Sequence, residues 1–435
     1  MFRRTLITIL ALTLSALVFA RPHASKNPVF DHINAIVQTL SEITGLSEKH
    51  AVPYGWMDKK RLRRFIARRI KRTLRPEEIR SDELALKMFG LVPQDFDLRK
   101  STIDLLTEQA AAFYDYDNKK LYLLQDSSLS AETTALAHEL AHALADQHFD
   151  LDKFMDETPS NDDENLAHTA VVEGQASWLM LAYDLKQSGK DPVPTADMLK
   201  QVADSSDASM ADFPVLKSSP LYIQQSLLFP YSEGTLFFAA VYNKIAKKSF
   251  AAVFEDPPVD TAQIIHPERY FAHEKPADPP LPALSSGRDS AQITQGSVGE
   301  FDHEMMLRQY DGESVAGSLG PHLKGGRFQI IGVGTARNPV LEYVSEWDSP
   351  EQANRFFHAY AGILKGKWKR CDRTVDSDNL LAGAGDNGYF ITRLSGVDVT
   401  SIEGLSDVAE WRKLQETASA KRSVRVVFRS RRPGL

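Results

Sequence analysis

Residues 138 to 148 read HELAHALADQH. Residues four apart on an α-helix lie one turn apart on one face, so His138 and His142 can each point a ring nitrogen at a single divalent cation. Glu139 lies about 100° further round the helix. Its carboxylate then reaches a water at the cation without becoming a ligand, which suits a general base for hydrolysis. Leu136, Leu140 and Leu144 form a stripe roughly opposite the histidines. The helix is therefore expected to pack one face on a core and turn the other to a cleft.

A hydrolytic zinc usually takes three protein ligands and keeps a fourth position open. Two residues could complete the set. His148 gives HExxHxxxxxH, a pattern in which a glycine normally breaks the helix after the second histidine. Here that position is Ala145, inside a run with no breaker, and on a continuing helix His148 points about 120° away from His142. Glu173 is the other option, an acid in the apolar stretch AHTAVVEGQASWLM, where a buried carboxylate is costly unless paired or metal-bound. The sequence favours Glu173. Gly174 and Ala176 beside it suit a helix that packs closely on the HELAH helix. His168 lies five residues before Glu173 and off its face, so it ranks lower. Asp146, one turn beyond His142, either receives that ring's second N–H or caps and pairs locally.

These residues need elements to hold them. AAFYDYDNKKLYLL (111 to 124) has apolar and aromatic residues around the turn pair Asp117-Asn118, which predicts a β-hairpin. A long helix is expected from about Ser130 as N-cap, with Glu132 in its first turn, and another over roughly 162 to 187. FPYSEGTLFFAAVYNKIAKK (229 to 248) reads as a helix entered through Pro230. Residues 28 to 90 read as helical. Within them, KKRLRRFIARRIKR (59 to 72) places Leu62, Phe65, Ile66 and Ile70 on one face and cations on the others, a solvated amphipathic helix rather than an anion-binding one. The Pro- and Ser-rich stretch EKPADPPLPALSSGRDSAQ (274 to 292) marks a boundary. Beyond it RFQIIGVG, VLEYVSEW, GYFITRL and SVRVVF read as strands, and SPEQANRFFHAYAGIL as a helix capped by Ser349.

The chain has 435 residues, 25% charged, with a formal net charge of −7. That is room for two or three domains, and it lacks the strong basicity of a nucleic-acid-binding domain. MFRR followed by an apolar run to Ala20 reads as a secretory signal peptide cut near Ala20. The run is shorter than the roughly 20 residues that span a bilayer, so no stable membrane anchor is expected after cleavage. Cys371 is the only cysteine, which rules out an internal disulfide and is read as an inert buried thiol.

HELAH followed by EGQA resembles the gluzincin branch of the zincin metallopeptidases. HELAHALADQHFDL, VVEGQA, FPYSEGTLFF and IIHPERYF together resemble a family of exported bacterial proteins with a peptidase-like zinc site, over about residues 75 to 275. The resemblance implies Zn²⁺ held by His138, His142 and Glu173, with Glu139 as general base. It also implies that the strand around Leu121 to Leu124 borders the cleft and pairs with an extended peptide. Tyr231 and His266 lie in the shared motifs and are candidates to stabilise the developing oxyanion. The expected fold is α+β. It comprises a signal peptide (1–20), an N-terminal helical segment (21–75), a mainly helical zincin-like metallopeptidase domain (76–275), a linker (276–292) and a smaller α+β domain (293–435). The expected activity is that of a zinc metallopeptidase, periplasmic or secreted, acting on protein or peptide. The alternatives are a non-catalytic zincin-like binding protein of the envelope and an amide hydrolase on a non-peptide envelope substrate.

Overall fold

The computed structural model of the chain describes residues 32–124, 133–156, 161–201, 213–282, 284 and 290–420. The expected signal peptide, the start proposed at Ser130 and the strand SVRVVF lie outside the described residues. The chain divides into two compact units, residues 1–87 with 91–276, and 88–90 with 277–435.

The first unit opens with α1 (Ile33–Thr44), β1 (Tyr54–Met57) and α2 (Lys59–Thr73). It continues with α3 (Pro76–Phe89) and α4 (Leu98–Gln109). The hairpin is β2 (Ala112–Asp115) and β3 (Lys120–Leu124). Then come α5 (Thr133–Phe149), α6 (Leu151–Asp156), α7 (Asp162–Gln187) and α8 (Pro214–Ser218). The unit closes with α9 (Leu221–Ile245), α10 (Ser249–Glu255), α11 (Thr261–Ile265) and α12 (Pro267–Phe271). Helix starts follow local chemistry. Asp58 accepts from Arg61 N–H, Asp97 from Lys100 N–H, and Asn161 from the N–H groups of Asp163 and Glu164.

Helix α7 is the axis of this unit. Every residue from Asn165 to Met180 is buried, and α5 and α9 are its main partners. A helix buried all round is a core element. Its closest neighbour is α9, not the HELAH helix, which corrects the reading of Gly174. A Cβ on Gly174 would collide with the backbone of Gly234, and one on Gly234 with the Ala170 carbonyl. Helix α9 also starts earlier than its sequence suggests. It begins at Leu221 and carries Pro230 in its interior. The proline removes one backbone bond, but the helix runs on because Ser226 to Tyr231 are buried within the unit.

The N-terminal segment is part of this unit. β1 is a strand missed in the sequence, and α1 packs on α5 and α7. The three-stranded sheet runs β1-β3-β2, with β1 parallel and β2 antiparallel to β3. Leu121 N–H bonds to Pro53 O on one side of β3. Because β3 is flanked on both sides, it has no free edge, contrary to expectation. Leu124 N–H bonds to Ala111 O, so residues 111, 113 and 115 bond to β3 by alternation, while Ala112 and Tyr114 turn their backbone groups away from β3.

The second unit is a seven-stranded antiparallel sheet in the order β4-β5-β6-β10-β9-β8-β7. Its strands and helices are β4 (Ser290–Ser297), α13 (Glu300–Tyr310), α14 (Glu313–Leu319), β5 (Leu323–Val333), β6 (Asn338–Trp347) and α15 (Pro350–Lys367), followed by β7 (Cys371–Ser377), β8 (Leu380–Gly385), β9 (Gly388–Ser395), β10 (Asp398–Leu405) and α16 (Val408–Ala420). Tyr360 of α15 stacks on Tyr343 and donates to buried Glu403. Trp411 of α16 packs with Val340 and Ile402, which point to the opposite face. The Pro-rich stretch is not a free tether, since Ala277 N–H bonds to Lys324 O.

Gly174→Ala tests the α7–α9 contact. Alanine would gain about 1 kcal/mol of helix propensity, but overpacking against unyielding backbone costs about 1–3 kcal/mol or more. Net destabilisation is expected, seen as a lower urea midpoint.

Candidate metal centre

Helix α5 begins from a threonine pair and is buried without interruption from Ala135 to Asp146. The leucine stripe is in the core as expected. The histidine face is equally covered, with His138 and His142 each 1% exposed and Glu139 0%. Tyr116 lies edge-on to His142, and Tyr231 stacks on His138 with ring centroids 6.0 Å apart.

On that face three ligand atoms converge. His138 Nε2 is 3.1 Å and His142 Nε2 3.5 Å from Glu173 Oε2, and the two ring nitrogens are 3.0 Å apart. Tetrahedral zinc with bonds near 2.0–2.1 Å would hold its donors about 3.3 Å apart. When both rings carry their proton on Nδ1, the three atoms are acceptors facing one another, an arrangement that a cation relieves. The group could hold a metal ion, and all its members are buried. Burial pushes Glu173 toward its neutral form, but the two imidazoles outweigh it and hold the carboxyl down to about 2. Glu173 is therefore an anion at neutral pH.

Glu139 belongs to the next layer. Its Oε2 accepts from Tyr114 N–H at 2.8 Å, a donor on the side of β2 that faces away from β3. The hairpin is fixed to α5 at a second point, where Tyr114 Oη donates to Asp146 Oδ2 at 2.9 Å. Lys119, at φ 50° in the turn, donates to the other Asp146 oxygen, which also accepts from Leu151 N–H. Asp146 thus ties the hairpin and the α6 start to α5, and it makes no hydrogen bond to His142. Buried Arg69 of α2 grips the same turn through Asp115 and Asp117.

Two of the remaining candidates, His148 and His168, make contacts outside this group. His148 Nε2–H donates to Ser47 O, and Asp150, at φ 48°, ends the helix just beyond it. His168 is buried flat against Phe154, with centroids 4.5 Å apart. His266 joins α11 to α12 and faces Glu268 at 3.8 Å. It also partly offsets the burial that raises Glu233. Tyr116 was missed in the sequence. It lies in the turn after β2, where no strand or helix period points to it.

No family model matches this chain, and no curated protein or solved structure is detectably similar to it.

Two predictions follow from this geometry. The chain is expected to bind one divalent cation, and Glu173→Gln should weaken binding by more than the tenfold to hundredfold that a lost outer partner costs, measured by competition with a chelator. The second concerns His168, which burial holds down to about 4 from 6.5. The unfolded chain takes up that proton first as pH falls, so stability present above 6.5 is lost toward 4 at about 1.4 kcal/mol per pH unit. His168→Phe should flatten that part of the slope in urea melts across this range.

Proposed function

We propose that the protein is an exported zinc-dependent peptidase. One juxtaposition carries the reading: two imidazoles and a buried carboxylate converge on a point, and Glu139, next to His138 on the same helix, is held by the Tyr114 N–H of β2. Two nitrogens and one carboxylate form a donor set that zinc takes in hydrolytic sites, where a fourth position stays open. His138, His142 and Glu173 would hold the ion, which when bound supplies a Lewis acid for the scissile carbonyl and makes a water more acidic.

The chain's own groups do the rest. Glu139 accepts the proton of the attacking water and returns it to the leaving amine. The Tyr114 N–H keeps that carboxylate aimed while it waits. Of the two residues put forward for the oxyanion, Tyr231 is supported by its stack on His138. The named contacts of His266, with Glu268 and Glu233, lend it no such support. The apolar segment before Ala20 supports export, and hence a protein, peptide or envelope substrate.

The enclosure of the centre favours a second reading, a zincin-like binding protein without turnover. Glu139→Gln separates the two. The variant is expected to keep its zinc and to lose about 10²–10⁴-fold in cleavage of a broad peptide library. Equal zinc in both chains with no cleavage by either would favour the binding protein.

A further inference from the structure

Tyr116, in the turn between β2 and β3, is among the largest fully buried side chains. Its hydroxyl has no hydrogen-bond partner among the described residues. Buried hydroxyls are nearly always paired, so this one calls for a partner beyond the described residues. Its surroundings indicate which. The Tyr116 ring lies 6.2 Å from that of His142 and 5.7 Å from that of Tyr114. A donor with no acceptor among the described residues thus sits beside His142, one of the proposed ligands.

Resting on the hydrolytic reading above, we propose that Tyr116 is a catalytic residue whose O–H donates to the substrate oxygen that gains negative charge during attack. In the addition step the water oxygen bonds to the carbonyl carbon and the carbonyl π pair moves onto its oxygen. The water's proton goes to Glu139. Tyr116 keeps its own proton and strengthens one hydrogen bond. As the C–N bond breaks, the oxygen's pair re-forms the carbonyl and the proton passes from Glu139 to the leaving nitrogen. The orphan state of the hydroxyl is then preorganisation, because its partner arrives with the substrate.

Tyr116→Phe keeps the ring and removes only the donor. In the zinc-loaded full chain, kcat should fall about 10²-fold with KM little changed. A readout independent of turnover is the affinity for acetohydroxamate, a small oxygen-donor ligand, measured by calorimetry at matched zinc content. The variant should bind it about tenfold more weakly. The metal-free variant should melt no lower than wild type, because no hydrogen bond to a described residue is lost. Unchanged acetohydroxamate affinity, or a variant that fails to hold zinc, would overturn the role of Tyr116. If Glu139→Gln still abolishes cleavage in that case, the peptidase reading survives. If zinc-loaded wild type neither cleaves nor binds acetohydroxamate, both readings fall together.

Discussion

A carboxylate removed from water sets the terms of the first unit. Glu173 is 1% exposed, and a lone buried charge costs several kcal/mol. His138 and His142 offset that cost only if three atoms stay within about an ångström of one another's ideal spacing. The surrounding architecture serves this requirement. Helix α7 has 26 residues, long enough to bury its middle while both ends reach polar surroundings. Its start is secured by Asn161 and three acids in the first turn, which complement the helix dipole. Helix α5 lies alongside with its own polar face turned inward.

The hairpin is the second positioning device, and it works by matched spacing. Two strand residues at i and i+2 are about 6.6 Å apart, and two helix residues at i and i+4 about 6 Å. Tyr114 can therefore meet Asp146 while Tyr116 meets His142, with the strand antiparallel to the helix. Arg69 and Lys119 hold the turn from two sides. Removing either leaves carboxylates of the turn or of α5 short of a partner.

Much of the centre was legible because it depends on local periodicity. HELAH fixes two imidazoles and a neighbouring acid on one helix, whatever that helix packs against. Glu173 stood out as an acid in an apolar run. The hairpin and the strands of β5, β6 and β9 were readable from alternation and turn chemistry. What failed depends on partners distant in the chain. β1 is four residues, YGWM, and is a strand only because β3 offers an edge. Gly174 signalled close packing but could not say which helix would approach. Pro230 looked like a helix start because burial of the preceding turn is a tertiary fact. Tyr116 sits in a turn, and its place beside His142 appears only once the hairpin is laid on α5.

The crossing of α7 and α9 has a mechanical meaning. Where Gly174 meets Gly234, neither helix presents a side chain, so the distance between the axes is set by main chain resting on main chain. Side chains between helices act as adjustable spacers, since rotamer changes let the gap widen or narrow by small amounts. Here that adjustment is missing, and the two rods share a hard stop. Glu173 lies immediately before the stop on one rod and Tyr231 just before it on the other, so both inherit a rigid reference point that repacking elsewhere in the unit cannot shift.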